Sequence, residues 1–330
     1  MKNREPLVHS LDPELPKLGA DAKSPEGMET NLAAPLATGS TARRRMRIAS
    51  RMLGSLLLGG MAVLGSILIF RQGLLPLIEA TFHPQPELLS AIRRTGILMT
   101  AVAGYWAFVR FHENRKATEL HLRPIQLMLG GASGAAMVAL PMAVLFALGA
   151  YEQVLLRGPS PALLGVAAVI GIAALLEELV YRCLLFRLLE RAWGTKWALV
   201  VQAVAFAVQH LENVAQGGIS DVATMLVSVT LLGLLWGAVF VLSRNLWVVA
   251  AHHAAWNFTI VLSGMPLSGI EDWRKLAPLE SRFVGPYWLT GGMFGPESSL
   301  LVIASTTIAV AMLLRAARQR GAFFVPAAQF

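Results

Sequence analysis

The sequence has few charged residues for its length. Asp, Glu, Lys and Arg make up 15% of the 330 residues, whereas a water-soluble domain usually carries about 25%. The apolar residues fall in blocks of roughly 17–28 residues, which are long enough to cross a hydrocarbon core about 30 Å thick. Alternating segments of about 10 residues, which mark a membrane β-barrel, are missing. The composition therefore predicts an all-α, multi-pass helix bundle in a lipid bilayer.

Cysteine is almost absent, and so are the local motifs of a metal hydrolase. Cys183 is the only cysteine, which excludes an intramolecular disulfide and a cysteine-rich metal site. No HExxH is present. The formal net charge of +8 would suggest nucleic acid for a soluble protein, but here the basic residues lie at the ends of the apolar blocks, where they set orientation. We therefore expect no nucleic-acid partner.

The chain divides into a tail, a membrane domain and a short end. Residues 1–42 are polar and rich in proline, with no apolar run near Met1, so they predict a disordered tail without a cleaved signal peptide. Residues 43–320 predict the membrane domain, and residues 321–330 a C-terminal tail. Residues 264–297 form the longest outer loop, which is either a cap or a simple connector.

Eight apolar blocks predict eight transmembrane helices. They are residues 52–70, 94–111, 125–150, 161–191, 196–211, 222–243, 246–263 and 298–314. With this count, 16 Lys and Arg residues between Arg43 and Arg320 fall on the side of both termini and 7 on the other side. The positive-inside rule then predicts cytoplasmic termini, and in a prokaryote the cell membrane as the location.

Glu177 and Glu178 lie at the centre of an apolar block, where each costs about 2.5–3.5 kcal/mol to insert. Glu178 and Arg182 are four residues apart, share a helix face and predict a supporting ion pair. Glu177 is rotated by about 100° and has no such partner within its helix. It is therefore the carboxylate that we expect to do chemistry.

Two other predicted spans carry polar residues at a similar depth. His210 ends the block 196–211, while His253 and Asn257 share one face of the block 246–263. At 1.5 Å per residue, all four side chains fall within roughly one or two helical turns of one level. His252 points elsewhere on its helix. We therefore expect Glu177, His210, His253 and Asn257 to converge inside the membrane.

These residue types fit more than one function. A Glu and a His can activate a water, and a His and an Asn can stabilise an oxyanion, which makes a peptide hydrolase without a cofactor. Alternatively, Glu177, His210 and His253 would provide three ligands of a catalytic zinc. A transporter with a proton relay and a non-catalytic scaffold or immunity protein are the other classes. A thiol protease built on Cys183 is disfavoured, because a buried thiol without a paired base is inert.

Three motifs in this order resemble the CPBP family of intramembrane proteases, also called Abi or type II CAAX prenyl proteases. They are EELVYR at 177–182, FAVQH at 206–210 and HAAWN at 253–257, and the resemblance covers about residues 125–263. It implies a glutamate-dependent endopeptidase that acts on a membrane-associated protein or peptide, with or without a lipid anchor. Residue by residue, it implies Glu177 and His210 as the water-activating pair, His253 and Asn257 as the oxyanion hole, and Glu178 and Arg182 as support.

Overall fold

The computed structural model describes residues 37–326. Residues 1–36 of the predicted N-terminal tail (1–42) and residues 327–330 of the predicted C-terminal tail (321–330) lie outside the described residues. The helices are α1 (Ala37–Ile69), α2 (Leu75–Phe82), α3 (Pro86–Ala107), α4 (Pro124–Ala147), α5 (Ala162–Glu178), α6 (Arg187–Gln209), α7 (Ile219–Ser243), α8 (Leu246–Leu262), α9 (Tyr287–Thr290) and α10 (Leu300–Gln319).

The all-α prediction is confirmed for the described residues. Five helical stretches are long and apolar enough to cross a membrane: 46–82, 124–147, 162–214, 219–243 and 300–319. α8 is apolar but only 17 residues long. The eight spans and the cytoplasmic termini remain predictions.

The stretch 162–214 is broken by one glycine. Gly194 adopts φ 82° and ψ 166° inside α6, a backbone conformation that glycine adopts at low cost. Thr195 N donates to the Phe324 carbonyl at 2.9 Å, and Phe324 N donates to Thr195 Oγ1 at 2.8 Å. The break therefore separates the predicted fourth and fifth spans, and the chain after α10 packs against it.

Helix α8 lies at the centre of the bundle, against α4, α5 and α7. Its first turn is capped by Asn245, whose side chain accepts from Val248 N at 3.2 Å. α4 approaches α8 closely at two glycines, where a side chain would not fit. A Cβ at Gly134 would overlap the backbone of His252, and one at Gly130 would lie 2.6 Å from the Val248 carbonyl oxygen. Small residues at such contacts let membrane helices pack backbone to backbone. The two glycines therefore allow α4 and α8 to pack backbone to backbone.

The segments before α5 and after α8 pair as strands. β1 (Tyr151–Leu156) and β2 (Leu279–Phe283) run antiparallel, with a bulge between Gln153 and Leu155. Tyr151 Oη also donates to the Thr290 carbonyl at 2.8 Å. The predicted outer loop is therefore folded and tied to the segment between α4 and α5.

Candidate active site

The two adjacent glutamates end α5 and precede a widened helical turn. α5 stops at Glu178, and Leu179–Phe186 continues as a π-helix before α6 begins. π-helical turns are rare and are frequently found at functional sites. Arg182 reaches back to Glu178 across this turn, whereas Glu177 lines a cavity. The two carboxylates therefore lie in different surroundings.

Glu178 and Arg182 form a buried ion pair. Arg182 Nε lies 2.9 Å from Glu178 Oε2, and neither side chain is exposed. Arg182 Nη1 donates to Gln202 Oε1 at 2.5 Å, and the guanidinium lies 5.1 Å from the centre of the Phe206 ring. Removing one partner of such a pair leaves a buried charge uncompensated. The pair therefore fixes the π-helix against α6.

His253 lies between the two glutamates. Its Nδ1 is 2.9 Å from Glu178 Oε1, and its Nε2 is 3.8 Å from Glu177 Oε2. Because an ionised Glu178 beside Arg182 accepts hydrogen bonds, we assign a proton to Nδ1, which leaves Nε2 facing Glu177. The ring stacks on Trp236 with 3.5 Å between centroids and 22° between planes. Its position and orientation are thus fixed on two sides.

Glu178 therefore has a partner that the sequence interpretation missed. The i,i+4 spacing assigned it to Arg182 alone, but it also binds His253 from α8. Spacing along one helix reveals contacts within that helix and not contacts to another helix. The ion pair is thus joined to a residue that lines the cavity.

His210 is held at the end of α6. Its Nδ1 lies 2.8 Å from the Phe206 carbonyl oxygen, an acceptor, so Nδ1 carries the proton in the bond that we assign. The Phe206 ring packs 4.7 Å from the imidazole. In neutral His210, Nε2 then has a free lone pair. Because His210 lines the same cavity as Glu177, this nitrogen is available to accept a proton.

The four side chains predicted as catalytic meet at one cavity of about 220 Å³. Glu177 comes from α5, His210 from the end of α6, and His253 and Asn257 from α8. Asn257 Oδ1 is buried and has no hydrogen-bond partner within the described chain. His252 lies at a separate groove beside α4. A carboxylate, two imidazoles and an amide around one cavity can activate water and stabilise an oxyanion.

The segment between α8 and α10 forms part of the cavity wall. Its lining residues are Leu267, Ser268, Ile270, Trp273 and Glu297. Of the two alternatives left open for residues 264–297, this placement favours a cap.

Glu297 is the cavity residue that the sequence interpretation missed. It is 2% exposed and accepts from Ser268 Oγ at 2.6 Å, while the Ser268 carbonyl accepts from Asn213 Nδ2 at 2.8 Å. Burial raises the pKa of Glu297 above its usual value, and Ser268 and His210 act in the opposite direction. One signal was present in the sequence, since Glu297 is the only acidic residue after Glu280.

The zinc alternative remains a prediction. Across residues 37–326, no three His, Cys, Asp or Glu side chains converge so as to hold a metal ion. His253 also directs Nδ1 to Glu178 and stacks on Trp236, which leaves only Nε2 facing the cavity.

Comparison with known proteins gives one family. Residues 159–259 match the model of the Rce1-like type II CAAX prenyl endopeptidases. The matched segment contains all three motifs and every side chain discussed above except those of the 264–297 segment. No curated protein and no solved structure matches the chain. The family resemblance indicated by the motifs is thus confirmed, and residues 159–259 carry an Rce1-like type II CAAX prenyl endopeptidase domain.

Proposed function

We propose that this protein is a membrane-embedded endopeptidase that hydrolyses a peptide bond with water activated by Glu177 and His210. The observation that carries the proposal is the convergence of Glu177, His210, His253 and Asn257 from three helical segments on one cavity. In an apolar bundle, ionisable and amide side chains that converge on one cavity are typical of a reaction site or a pathway.

The two histidines support different steps. Glu177 takes a proton from the water, and His210, whose Nδ1 is held by the Phe206 carbonyl, can accept that proton at Nε2 and relay it. The water oxygen forms the new bond to the peptide carbon, and the proton passes through His210 to the leaving nitrogen as the C–N bond breaks. The products are a free carboxyl group and a free amine, and no oxidant or cofactor enters the balance.

His253 and Asn257 face the other end of the reacting carbonyl. The Asn257 amide donates from Nδ2, and His253 donates from Nε2 when it carries protons on both nitrogens. Glu178 Oε1 lies 2.9 Å from Nδ1, and Glu177 Oε2 lies 3.8 Å from Nε2. Two donors at a developing oxyanion are worth several kcal/mol, because removing one typically costs about 10²–10³ in rate.

The substrate class follows from the family and the location. An Rce1-like domain implies a membrane-associated peptide substrate. We propose a peptide segment that enters the cavity from the membrane surface.

The test is cleavage by the purified full chain in detergent. The substrates are a fluorescence-quenched peptide library and the same peptides with a C-terminal farnesylcysteine. Glu177→Gln and His210→Ala should each lower cleavage by about 10²–10⁴-fold with unchanged melting temperature. Glu212→Gln, which changes an exposed acid two residues after His210, is the matched control.

Two further arms separate the alternatives. Zinc-dependent hydrolysis predicts loss of cleavage on chelation and recovery on adding zinc, whereas the proposed mechanism predicts no change. A transporter predicts Glu177-dependent solute flux in liposomes without cleavage. Full cleavage by Glu177→Gln would overturn the proposal.

A further inference from the structure

At each end of the bundle, the segments that connect the helices contact one another. At one end, Arg191 Nη1 lies 2.8 Å from Glu113 Oε1, and Asn245 Nδ2 donates to the His121 carbonyl at 2.6 Å. The segments joined by contacts of this kind are 113–121, 187–195, 244–247 and 322–324. We call them the arginine-rich end.

The other end is built from different segments. Asn213 Nδ2 donates to the Ser268 carbonyl at 2.8 Å, and Tyr287 Oη donates to Asp221 Oδ1 at 2.6 Å. Together with the β1–β2 pairing, these contacts join segments 151–158, 213–221 and 268–290. We call them the loop end.

The catalytic cavity lies at the loop end. Asn213, Ser268 and Trp273 form part of its wall. On the other side of Glu177 and His253, a packed layer separates the cavity from the arginine-rich end. Its side chains are at most 1% exposed and are Arg182, Phe186, Gln202 and Phe240. Within residues 37–326, this layer leaves the loop end, and the half of the bundle next to it, as the sides from which a peptide can approach the cavity.

The basic residues distinguish the two ends. Counted by the predicted spans from Arg43 to Arg320, 16 Lys and Arg residues fall on the side of the arginine-rich end and 7 on the side of the loop end. Lys and Arg concentrate in the cytoplasmic loops of multi-pass proteins. The bias therefore directs the arginine-rich end to the cytoplasm and the loop end away from it.

We propose that the cavity opens on the non-cytoplasmic side, so that the substrate is an exported peptide or a non-cytoplasmic segment of a membrane protein. The peptidase part of this inference rests on the proposed function, whereas the sidedness rests on the two ends and the charge bias. A lipidated cytoplasmic C-terminus would be on the wrong side of the packed layer.

The lining chemistry narrows the substrate further. Glu177 and Glu297 contribute two carboxylates, and neither Lys nor Arg is among the lining residues of the cavity. A site lined by two acids and by neither Lys nor Arg disfavours an acidic peptide and accepts a neutral or basic one. The scissile segment is therefore expected to lack Asp and Glu next to the cleaved bond.

Cysteine labelling tests the sidedness without any substrate. The only native cysteine, Cys183, is 0% exposed, so the wild type should not be labelled and gives the background signal. Three full-length variants are compared: Gln209→Cys in the cavity wall, Glu271→Cys beside the cavity at the loop end, and Lys116→Cys at the arginine-rich end, all at exposed positions. Each is expressed in a bacterium, and spheroplasts are treated with a membrane-impermeant maleimide before and after permeabilisation.

We expect Gln209→Cys and Glu271→Cys to be labelled fully in intact spheroplasts, and Lys116→Cys only after permeabilisation. The reverse pattern would overturn the proposed orientation. Labelling of Glu271→Cys in intact spheroplasts without labelling of Gln209→Cys would overturn access to the cavity from that side. If Glu177→Gln abolishes cleavage but the labelling is reversed, only the sidedness fails. If the labelling is as expected and Glu177→Gln still cleaves, only the proposed function fails.

Discussion

The arginine-rich end holds a cluster of charged side chains, formed by Glu113, Glu119, Arg115, Arg187 and Arg191. Both this charge cluster and the cavity at the loop end contain buried carboxylates, but only those of the cluster are paired with cations. In the cluster, Glu113 contacts three arginines, with Arg187 Nη1 and Arg191 Nη1 each at 2.8 Å and Arg115 Nε at 2.9 Å. Glu119 binds Arg115 at 2.5 Å. Every buried carboxylate of the cluster is thus neutralised by its neighbours.

The cavity lacks that compensation. Glu177 has a single ion-pair contact among the described residues, to His253 Nε2 at 3.8 Å. Asn257 Oδ1 has no hydrogen-bond partner there, and Glu297 is held by a neutral hydroxyl. Leaving such groups incompletely paired costs stability, so an arrangement of this kind is expected where a ligand or reaction uses them. Pairing, more than burial, separates the structural carboxylates from the candidate catalytic ones.

The largest loss of folding stability is expected when Arg182, the cation beneath the cavity, is replaced. Arg182→Met leaves Glu178 buried without its cation, and breaking a buried pair costs about 3–5 kcal/mol. Arg191→Ala is the matched control, because Arg191 is 61% exposed and such pairs are worth about 0–1 kcal/mol. Unfolding free energies in mixed micelles measure both. Equal costs would remove the distinction between the buried pair and the exposed one.

A smaller effect is expected in the charge cluster. Glu113→Gln removes the carboxylate shared by three arginines, and hydrogen bonds to charged groups contribute about 1.5–3 kcal/mol. Because the cluster is separated from the cavity by the packed layer, peptide cleavage should remain unchanged at temperatures where the variant is folded. Loss of cleavage without loss of stability would show that the cluster takes part in the reaction.

The charge cluster also predicts that acid lowers the stability of the wild type but not that of Glu113→Gln. Burial by itself would raise the pKa of Glu113, but Arg187 and Arg115 hold it below its usual value of 4.5. A lowered folded-state pKa contributes stability above the unfolded pKa, which is lost as the pH falls through the folded value. The melting temperatures of wild type and Glu113→Gln should therefore converge below about pH 4.5.

An effect of about tenfold, or 1.4 kcal/mol, is expected for Glu297→Gln. Gln still accepts the Ser268 hydroxyl, so the melting temperature should not change, but the negative charge across the cavity from His210 is lost. We expect kcat to fall with little change in KM. Glu271→Gln, an exposed acid in the same segment, should leave kcat unchanged. A fall in melting temperature with normal kcat would make Glu297 purely structural.

The sequence predicted the pairing inside helices better than the pairing between them. Helical period and spacing identified the Glu178–Arg182 contact and the different direction of Glu177. The convergence of His210, His253 and Asn257 required only that helix rise be compared between spans. The link from Glu178 to His253 depends on how α5 meets α8, which neither pattern encodes. Glu297 was missed because it lies in an irregular segment without periodicity.

The smallest effect is expected at Cys183, which lies beside Arg182 and between the two regions. Its thiol is 0% exposed, while its backbone carbonyl accepts from Tyr105 Oη at 3.1 Å and from Arg187 Nε at 3.0 Å. Cys183→Ser keeps these backbone contacts, and a buried hydroxyl can donate to a carbonyl one helical turn earlier. We therefore expect unchanged cleavage and a loss of at most about 1 kcal/mol. If Cys183→Ser were as inactive as Glu177→Gln, the reactive group would be a thiol inside the packed layer. The pairing of polar side chains would then no longer distinguish the cavity from the charge cluster.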